Sequence, residues 1–381
     1  MIKIGFDAKR IVRNRTGLGN YGRTLVSDLS ALMPADELLL YAPDKGNDDL
    51  RQGMETLANV QMVYPEGKPL RLQRDLWRMR GIVSDLRRDG INIFHGLSGE
   101  LPRGIRKSGI RSIVTIHDLI FMRHPEYYNW LDTKIYTYKF RQTCLEADHI
   151  IAISECTKRD IMELGGVEGD RISVIYQSCA PRFDGNSPES RQQEVSSHYC
   201  LPQRFVLNVG SIEERKNMLL AVKALLRLPE EVGLVIVGRK TSYTKRIETF
   251  VNQHGLQQRV RLLHGVADDD LAVLYALAEA FVYPSRYEGF GIPIVEAVNS
   301  GLPVVACTGS CLEEAGGPDC LYVSPDDDEA LAAALMQSLK GAEGREQRIM
   351  HSRQYVQRFA GNNVAKQVME VYRQVNPSPF S

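Results

Sequence analysis

A chain of 381 residues, 43% hydrophobic and 25% charged, is long enough for two buried cores at roughly 150 residues per domain. Lys plus Arg and Asp plus Glu number 47 each, so the net charge is zero and gives no reason to expect a nucleic-acid partner. The seven cysteines are odd in number and form no C-x-x-C pair, so neither a disulfide framework nor a zinc site is indicated, and buried thiols in a reducing compartment are expected.

The N-terminal MIKIGFDAKR has too short an apolar run for a signal peptide. No window approaches the roughly 20 apolar residues of a membrane span, and a cytoplasmic protein is expected. From there, short apolar runs alternate with helix-length amphipathic segments. The runs are IKIGF, LLLYA, VQMVY, INIFHG, SIVTIHD, HIIAIS and ISVIY, then FVLNVGS, LVIVGR, VRLLHG, AFVYPS, PVVAC and LYVSP. Several are apolar throughout, as strands buried on both faces are. Strand, helix, strand, repeated, predicts an α/β protein with parallel sheets. The polar stretch QSCAPRFDGNSPESRQQ, read as strandless, divides it into two Rossmann-like domains, 1–180 and 200–355, facing across a cleft. The last segment reads as two helical parts parted by Gly361 and Asn362, with 356–381 expected to return to the first domain.

In open α/β sheets, ligands bind beyond the carboxyl ends of the strands, so motifs there are the candidates. After the first strand, Gly17 and Gly19 are expected to precede a helix starting near Asn20. Free amides at such a mouth, aided by the helix dipole, suit an anion, although the glycines read equally as a tight turn. At the end of TIHDL, His117 and Asp118 suit hydrogen bonds to sugar hydroxyls or modest proton transfer, against a satisfied structural pair. In NVGSIEERKN, Gly210 and Ser211 make a turn and Arg215 and Lys216 follow before a helix. Two cations there form a diphosphate clamp, or else a solvated helix start.

The richest stretch is YPSRYEGFGIPIVEAVNSGLPVVA. Pro293 is expected to open a helix, where its missing N–H costs nothing, and Gly301 to close it. Glu288 then lies in the loop and Glu296 in the first turn, with the amides of Gly289, Phe290 and Gly291 between them. One carboxylate can touch a sugar and the other a pair of ribose hydroxyls on either side of a diphosphate. The acidic runs 268–270 and 326–328 each precede a helical pattern, which favours capping and dipole matching over a metal site.

With these motifs in order along nearly the whole chain, the sequence resembles the retaining glycosyltransferases of the GT-B fold, in the large family four group. EGFGIPIVE, SGLPVVA, GSIEERKN, TGLGNY, LVIVGR and TIHDL carry the resemblance. TIHDLIFMRHPEYY resembles a mannosyltransferase subgroup that builds O-antigen-type polysaccharide. The resemblance implies that Arg215 and Lys216 bind the donor diphosphate. Glu288 would contact the donor sugar with the Gly289 and Phe290 amides, and Glu296 the ribose. Gly17 and Gly19 would cap the diphosphate, His117 would contact sugar or acceptor, and Gly265 and Val266 beside His264 would frame the base. VIYQSCAPRF departs from a Pro-Asn-Gly-Val-Asp run common in relatives, which puts any role of that run in doubt.

The implied reaction moves a hexose, with mannose preferred, from a nucleoside-diphosphate sugar to a glycan or lipid-linked acceptor with retention. Cationic side chains would hold the leaving charge, and no metal or other cofactor is expected. Residues 68–111 carry eleven Lys or Arg against four Asp or Glu. Their first part, PLRLQRDLWRMRGIVSDLRR, is a basic amphipathic helix that can lie on the inner face of the cytoplasmic membrane, or pack on the core with a solvated face. Two other readings are a sugar-nucleotide epimerase or hydrolase on the same scaffold, and a clamshell solute-binding protein. The second would normally carry an export signal.

Overall fold

The protein is described by a computed structural model over residues 2–67, 70–180, 182–360 and 363–376. The chain forms two compact units, Met1–Gln177 with Gly361–Ser381, and Ser178–Ala360. Lys68 of the basic segment and the Gly361–Asn362 break lie outside the described residues.

The first unit holds a parallel sheet of seven strands: β1 (Lys3–Asp7), β2 (Glu37–Tyr41), β3 (Val60–Val63), β4 (Ile93–Gly96), β5 (Arg111–Ile116), β6 (His149–Ala152) and β7 (Ile172–Val174). Their order is β3-β2-β1-β4-β5-β6-β7. The second unit holds a parallel sheet of six: β8 (Arg204–Val209), β9 (Val232–Val237), β10 (Val260–Leu263), β11 (Ala280–Tyr283), β12 (Val304–Cys307) and β13 (Leu321–Val323). Their order is β10-β9-β8-β11-β12-β13. Every strand falls on one of the apolar runs. β4, β6, β9, β11 and β12 are buried along their whole length, because helices cover both faces of a doubly wound sheet.

In each sheet the winding direction reverses once, between β1 and β4 and between β8 and β11. At such a point the outgoing loops turn away from each other and leave a crevice at the carboxyl ends. The loops after β8 and β11, which carry the Arg-Lys and Glu-rich motifs, therefore border one crevice.

Three details differ from expectation. The first long helix spans Gly17–Leu32, so Gly17 and Gly19 lie in its first turn and not before it. The Thr16 carbonyl accepts from the amides of Gly19 and Asn20 at 2.9 and 3.0 Å and starts the helix early. The polar stretch before β8 contains a helix, Glu189–His198, with Pro188 at its cap, where a proline sacrifices no hydrogen bond. The second unit keeps the helix Arg345–Val356 and the turn Gln357–Phe359, so the crossing back comes after Ala360 and not near 356.

The helix Asn363–Val375 completes the first unit. Val364, Val368, Val371 and Tyr372 enter the same core as Leu25, Val26 and Leu29 of the Gly17–Leu32 helix. The Tyr372 hydroxyl meets His95 Nδ1 of β4 at 2.7 Å.

Candidate functional site

The site is built on the second unit's crevice. β8 runs out into Gly210, whose φ of +157° is near extended, and Ser211. A single 3-10 turn, Glu214–Lys216, precedes Asn217 in the left-handed region and the helix Met218–Leu225. From the other side comes the loop after β11. The amide of Arg286 donates to the Arg215 carbonyl at 2.9 Å and joins the two loops.

Three charged side chains converge across this junction. Lys216 Nζ lies 2.5 Å and Arg215 2.8 Å from the same oxygen, Oε1 of Glu288. Lys216 also donates to the Tyr283 hydroxyl at 2.6 Å and sits 4.9 Å from the centre of that ring. Arg215 donates to the Tyr287 carbonyl. Lys216 and Glu288 are buried. Burial alone would raise the Glu288 carboxyl, but Lys216 and Arg215 beside it hold it below the usual range. Burial alone would lower Lys216, but Glu288 holds it above the usual range. Burial pushes Tyr283 up to about 12, so it stays a phenol that can donate to Glu288. The trio is charged with one cation in excess, in surroundings of low dielectric, and an arriving anion gains most there.

The loop then turns into the helix Ile292–Asn299. Its cap is Gly291 with φ +116°, a conformation that favours glycine. Pro293 is the second helical residue, behind Ile292, and Glu296 is the fifth. Both therefore lie one step later than expected, with Glu296 in the second turn. Glu296 is half-buried and accepts from the Tyr275 hydroxyl at 2.9 Å. Burial pushes its carboxyl up to about 7, against the Tyr275 hydrogen bond and the Arg182 charge, which pull it down. The Glu288–Phe290 segment is pinned from behind, where the Cys311 thiol faces the carbonyls of Glu288 at 3.1 Å and Phe290 at 3.0 Å. The Phe290 ring is buried against Phe359, so Phe290 can offer a ligand only its backbone.

Gly265, with φ +68°, and Val266 leave β10 on the same sheet edge, two strands from β8. His264 Nδ1 donates to the Gly238 carbonyl at 2.6 Å and ties the β10 loop to the β9 loop. The acidic runs sit at helix starts. Asp268, Asp269 and Asp270 occupy the first turn of Asp268–Leu277, and Asp327 caps the helix Asp328–Met336 by accepting from the Ala330 amide. Among the described residues, no three His, Cys, Asp or Glu converge as a metal site.

In the first unit, His117 follows β5 with both ring nitrogens engaged. Nε2 faces the Leu97 carbonyl at 2.8 Å, which can only accept, so this nitrogen carries the proton. Nδ1 then accepts from the Gln177 side-chain amide at 2.9 Å. Burial lowers the ring to about 4, so His117 is neutral at physiological pH. As placed, it is a hydrogen-bonding group and not a ready general base. Asp118 accepts from the Ile120 amide at 3.1 Å, at the start of a short helix.

Gly17 and Gly19 part company. A Cβ on Gly19 would stand 1.8 Å from the Asn14 carbonyl oxygen, whereas one on Gly17 would meet nothing within 4 Å. Gly19→Ala is expected to lower stability by about 2–4 kcal/mol, the range for a backbone clash that cannot relax cheaply. Gly17→Ala should be neutral or stabilising by up to about 1 kcal/mol. Urea midpoints check both, and equal effects would remove the distinction.

Tyr283, Tyr275, Cys311 and Gln177 were not singled out from the sequence. Tyr283 ends a strand just before the loop, which could have marked it. Gln177 lies inside the run that departs from the relatives. Tyr275 and Cys311 reach the site from helices 20 or so residues away, and nothing local in the sequence reports that.

Two family comparisons match the chain. Residues 17–178 match Glycosyltransferase Family 4, and residues 192–355 match Glycosyl transferases group 1. The chain is 27% identical over 391 residues to the O-antigen chain mannosyltransferase B of Escherichia coli, covering 98% of this chain and 100% of the relative. It is 28% identical to the O-antigen chain mannosyltransferase RfbU of Salmonella typhimurium, over 67% of each. Among solved structures, Anabaena HepE, crystallised with UDP and glucose, superposes with a TM-score of 0.74 at 17% identity, over 98% of this chain and 100% of that one.

Proposed function

The chain belongs to the GT-B glycosyltransferases, and from that premise we propose that it is a retaining hexosyltransferase using a nucleoside-diphosphate sugar, with mannose the preferred hexose. The observation that carries this reading is the trio of Lys216, Arg215 and Glu288 at the second unit's switch point. The names of the O-antigen relatives support mannose as the sugar and a growing polysaccharide, or the lipid bearing it, as the acceptor.

In this reading the donor diphosphate takes its place on Lys216 and Arg215. Those cations now neutralise phosphate oxygens, and the Glu288 carboxylate they held becomes available to sugar hydroxyls. Glu296 accepts from the ribose hydroxyls, with Tyr275 holding it. The bond from the anomeric carbon to phosphate breaks while a bond to the acceptor oxygen forms on the same face. The acceptor proton passes to the departing phosphate oxygen. The two cations and the amides of Gly210, Ser211 and Gly289 stabilise the charge that develops there, so no metal cofactor is needed. The first unit takes the acceptor, with His117 as a neutral hydrogen-bonding group.

The test is a panel of nucleotide sugars, each with and without an acceptor glycan. GDP-mannose with an O-antigen-type mannan fragment should give nucleoside diphosphate and an α-linked product, read by NMR. Donor consumption that needs no acceptor would instead support the epimerase or hydrolase reading.

Peripheral membrane contact belongs to the same proposal. The helical segment Arg71–Arg88 buries Ile82 and Leu86, while Leu72 and Leu76 stay exposed among its arginines. Its first turns are therefore not a core-packed helix with a solvated polar face. The protein should float with vesicles of anionic phospholipid and stay behind with neutral ones. Failure to float with either removes the contact.

A further inference from the structure

The first unit has a cavity of about 380 Å³ at its own switch point, bordered by Asp7 at the end of β1, Phe94 of β4 and the Glu100–Arg103 loop that follows β4. This is the crevice where an open α/β sheet takes a ligand, and the volume falls in the range of small-molecule sites. Its walls are mostly apolar: Met79, Ile82, Phe94, Leu101 and Ile135. One end is polar. Arg78 is held by Asp7 and Glu100, and Lys139 pairs with Glu100 at 3.0 Å. Burial would raise Glu100, but Arg78 and Lys139 hold it at about 2, so this end stays charged.

Two helical segments frame the mouth. On one side, the stretch Trp77–Gly81 winds as a π-helix, a form that often marks functional positions. The Met79 carbonyl accepts from the Arg103 amide at 2.8 Å, which fixes Met79 and Arg78 against the loop after β4. On the other side, the helix Trp130–Glu146 leaves Trp130, Leu131, Ile135 and Tyr138 exposed, Ile135 by 44%. Four cations line the cavity, Arg78, Arg103, Lys134 and Lys139, against two carboxylates, Asp7 and Glu100. Arg103, Lys134 and Lys139 all reach solvent.

An apolar chamber with an apolar mouth and a surplus of cations is complementary to one kind of molecule. We propose that this cavity binds the hydrocarbon chain of an anionic amphiphile, with the anionic head on Arg103, Lys134 and Lys139. The proposal goes beyond the transferase reading, and no residue of the cavity belongs to the donor site.

The chain's two tryptophans, Trp77 and Trp130, both flank the cavity, so intrinsic fluorescence reports its filling. The full chain would be titrated with hexyl, octyl and decyl phosphate below their micelle concentrations, and with inorganic phosphate. Binding should saturate and tighten by about fourfold for each added methylene, the gain expected for burying one CH₂. Inorganic phosphate should leave the signal unchanged. Ile135→Asp should weaken decyl phosphate at least tenfold, while Leu145→Asp, exposed on the same helix but not lining the cavity, should bind as the parent does. Three results would overturn the proposal: no dependence on chain length, equal losses in the two variants, or sedimentation showing a dimer whose formation blocks the titration. Nucleotide-induced stabilisation of the same samples reads the donor site separately, so failure of one reading leaves the other to be judged alone.

Discussion

Lys216→Ala is expected to lower kcat by about 10²–10³-fold, the loss typical when one charge-stabilising donor is removed from a buried site. The effect should fall on turnover more than on KM, because the charge Lys216 meets grows as the phosphate departs. The variant should still fold. Glu288 keeps Arg215 at 2.8 Å, so the stability loss should stay below the ~3–5 kcal/mol of a fully orphaned buried ion pair. Tyr283→Phe is the milder companion. It removes the hydroxyl 2.6 Å from Lys216 Nζ but leaves the ring and both cations, and should cost activity about tenfold or less. Steady-state kinetics with a circular-dichroism check on folding decides. Unchanged turnover in Lys216→Ala would take the clamp out of the mechanism.

The second large effect concerns Glu296. A donor at a hundred times its Kd should stabilise the parent protein by about 2.7 kcal/mol. Glu296→Ala should abolish most of that gain, because the ribose hydroxyls lose their acceptor. Equal thermal shifts in the two proteins would contradict the ribose role. The same residue sets a pH dependence. Its folded-state carboxyl is raised from 4.5 to about 7, so the native state favours the proton. The resulting stability is fully present below about pH 4.5 and is lost as pH rises through about 7. At about 1.4 kcal/mol per pH unit the whole effect is on the order of 3–4 kcal/mol. Glu296→Gln should therefore melt above the parent protein at pH 8, with the gain fading toward pH 4.5. Donor affinity should run the other way and rise with pH through that range, because only the ionised carboxylate accepts from both hydroxyls.

What was legible in the sequence follows from what is local. Among the described residues, all thirteen strands lie on short apolar runs, and β4, β6, β9, β11 and β12 are buried throughout because both faces of the sheet are covered. Gly-Phe-Gly with a proline marked the turn into the Ile292–Asn299 helix, because glycine and proline leave little conformational choice there. Arg215, Lys216 and Glu288 were each visible as strand-end residues. Their convergence on one carboxylate oxygen depends on the order of β8 and β11 in the sheet, which sequence does not print. The boundary errors share a cause. A helix cap is chosen by backbone hydrogen bonds, and Thr16 and Gly291 fixed helix starts three residues and one residue ahead of where side-chain pattern placed them. The π-helix at Trp77–Gly81 was hidden because its apolar residues are compatible with an ordinary helical period. The hold of Gln177 on His117 spans 60 residues and leaves no periodic trace.

The chain leaves the first unit after Gln177 and re-enters it only past Ala360. The second unit is thus a complete insertion, contiguous from end to end, while the first lacks a wall of its interior until Val364–Tyr372 has been made. On the ribosome, the half encoded first is the last to mature. Val364, Val368 and Tyr372 act as its keystone, and deleting that segment would unseat His95 and the neighbouring strands while the inserted half could still fold by itself.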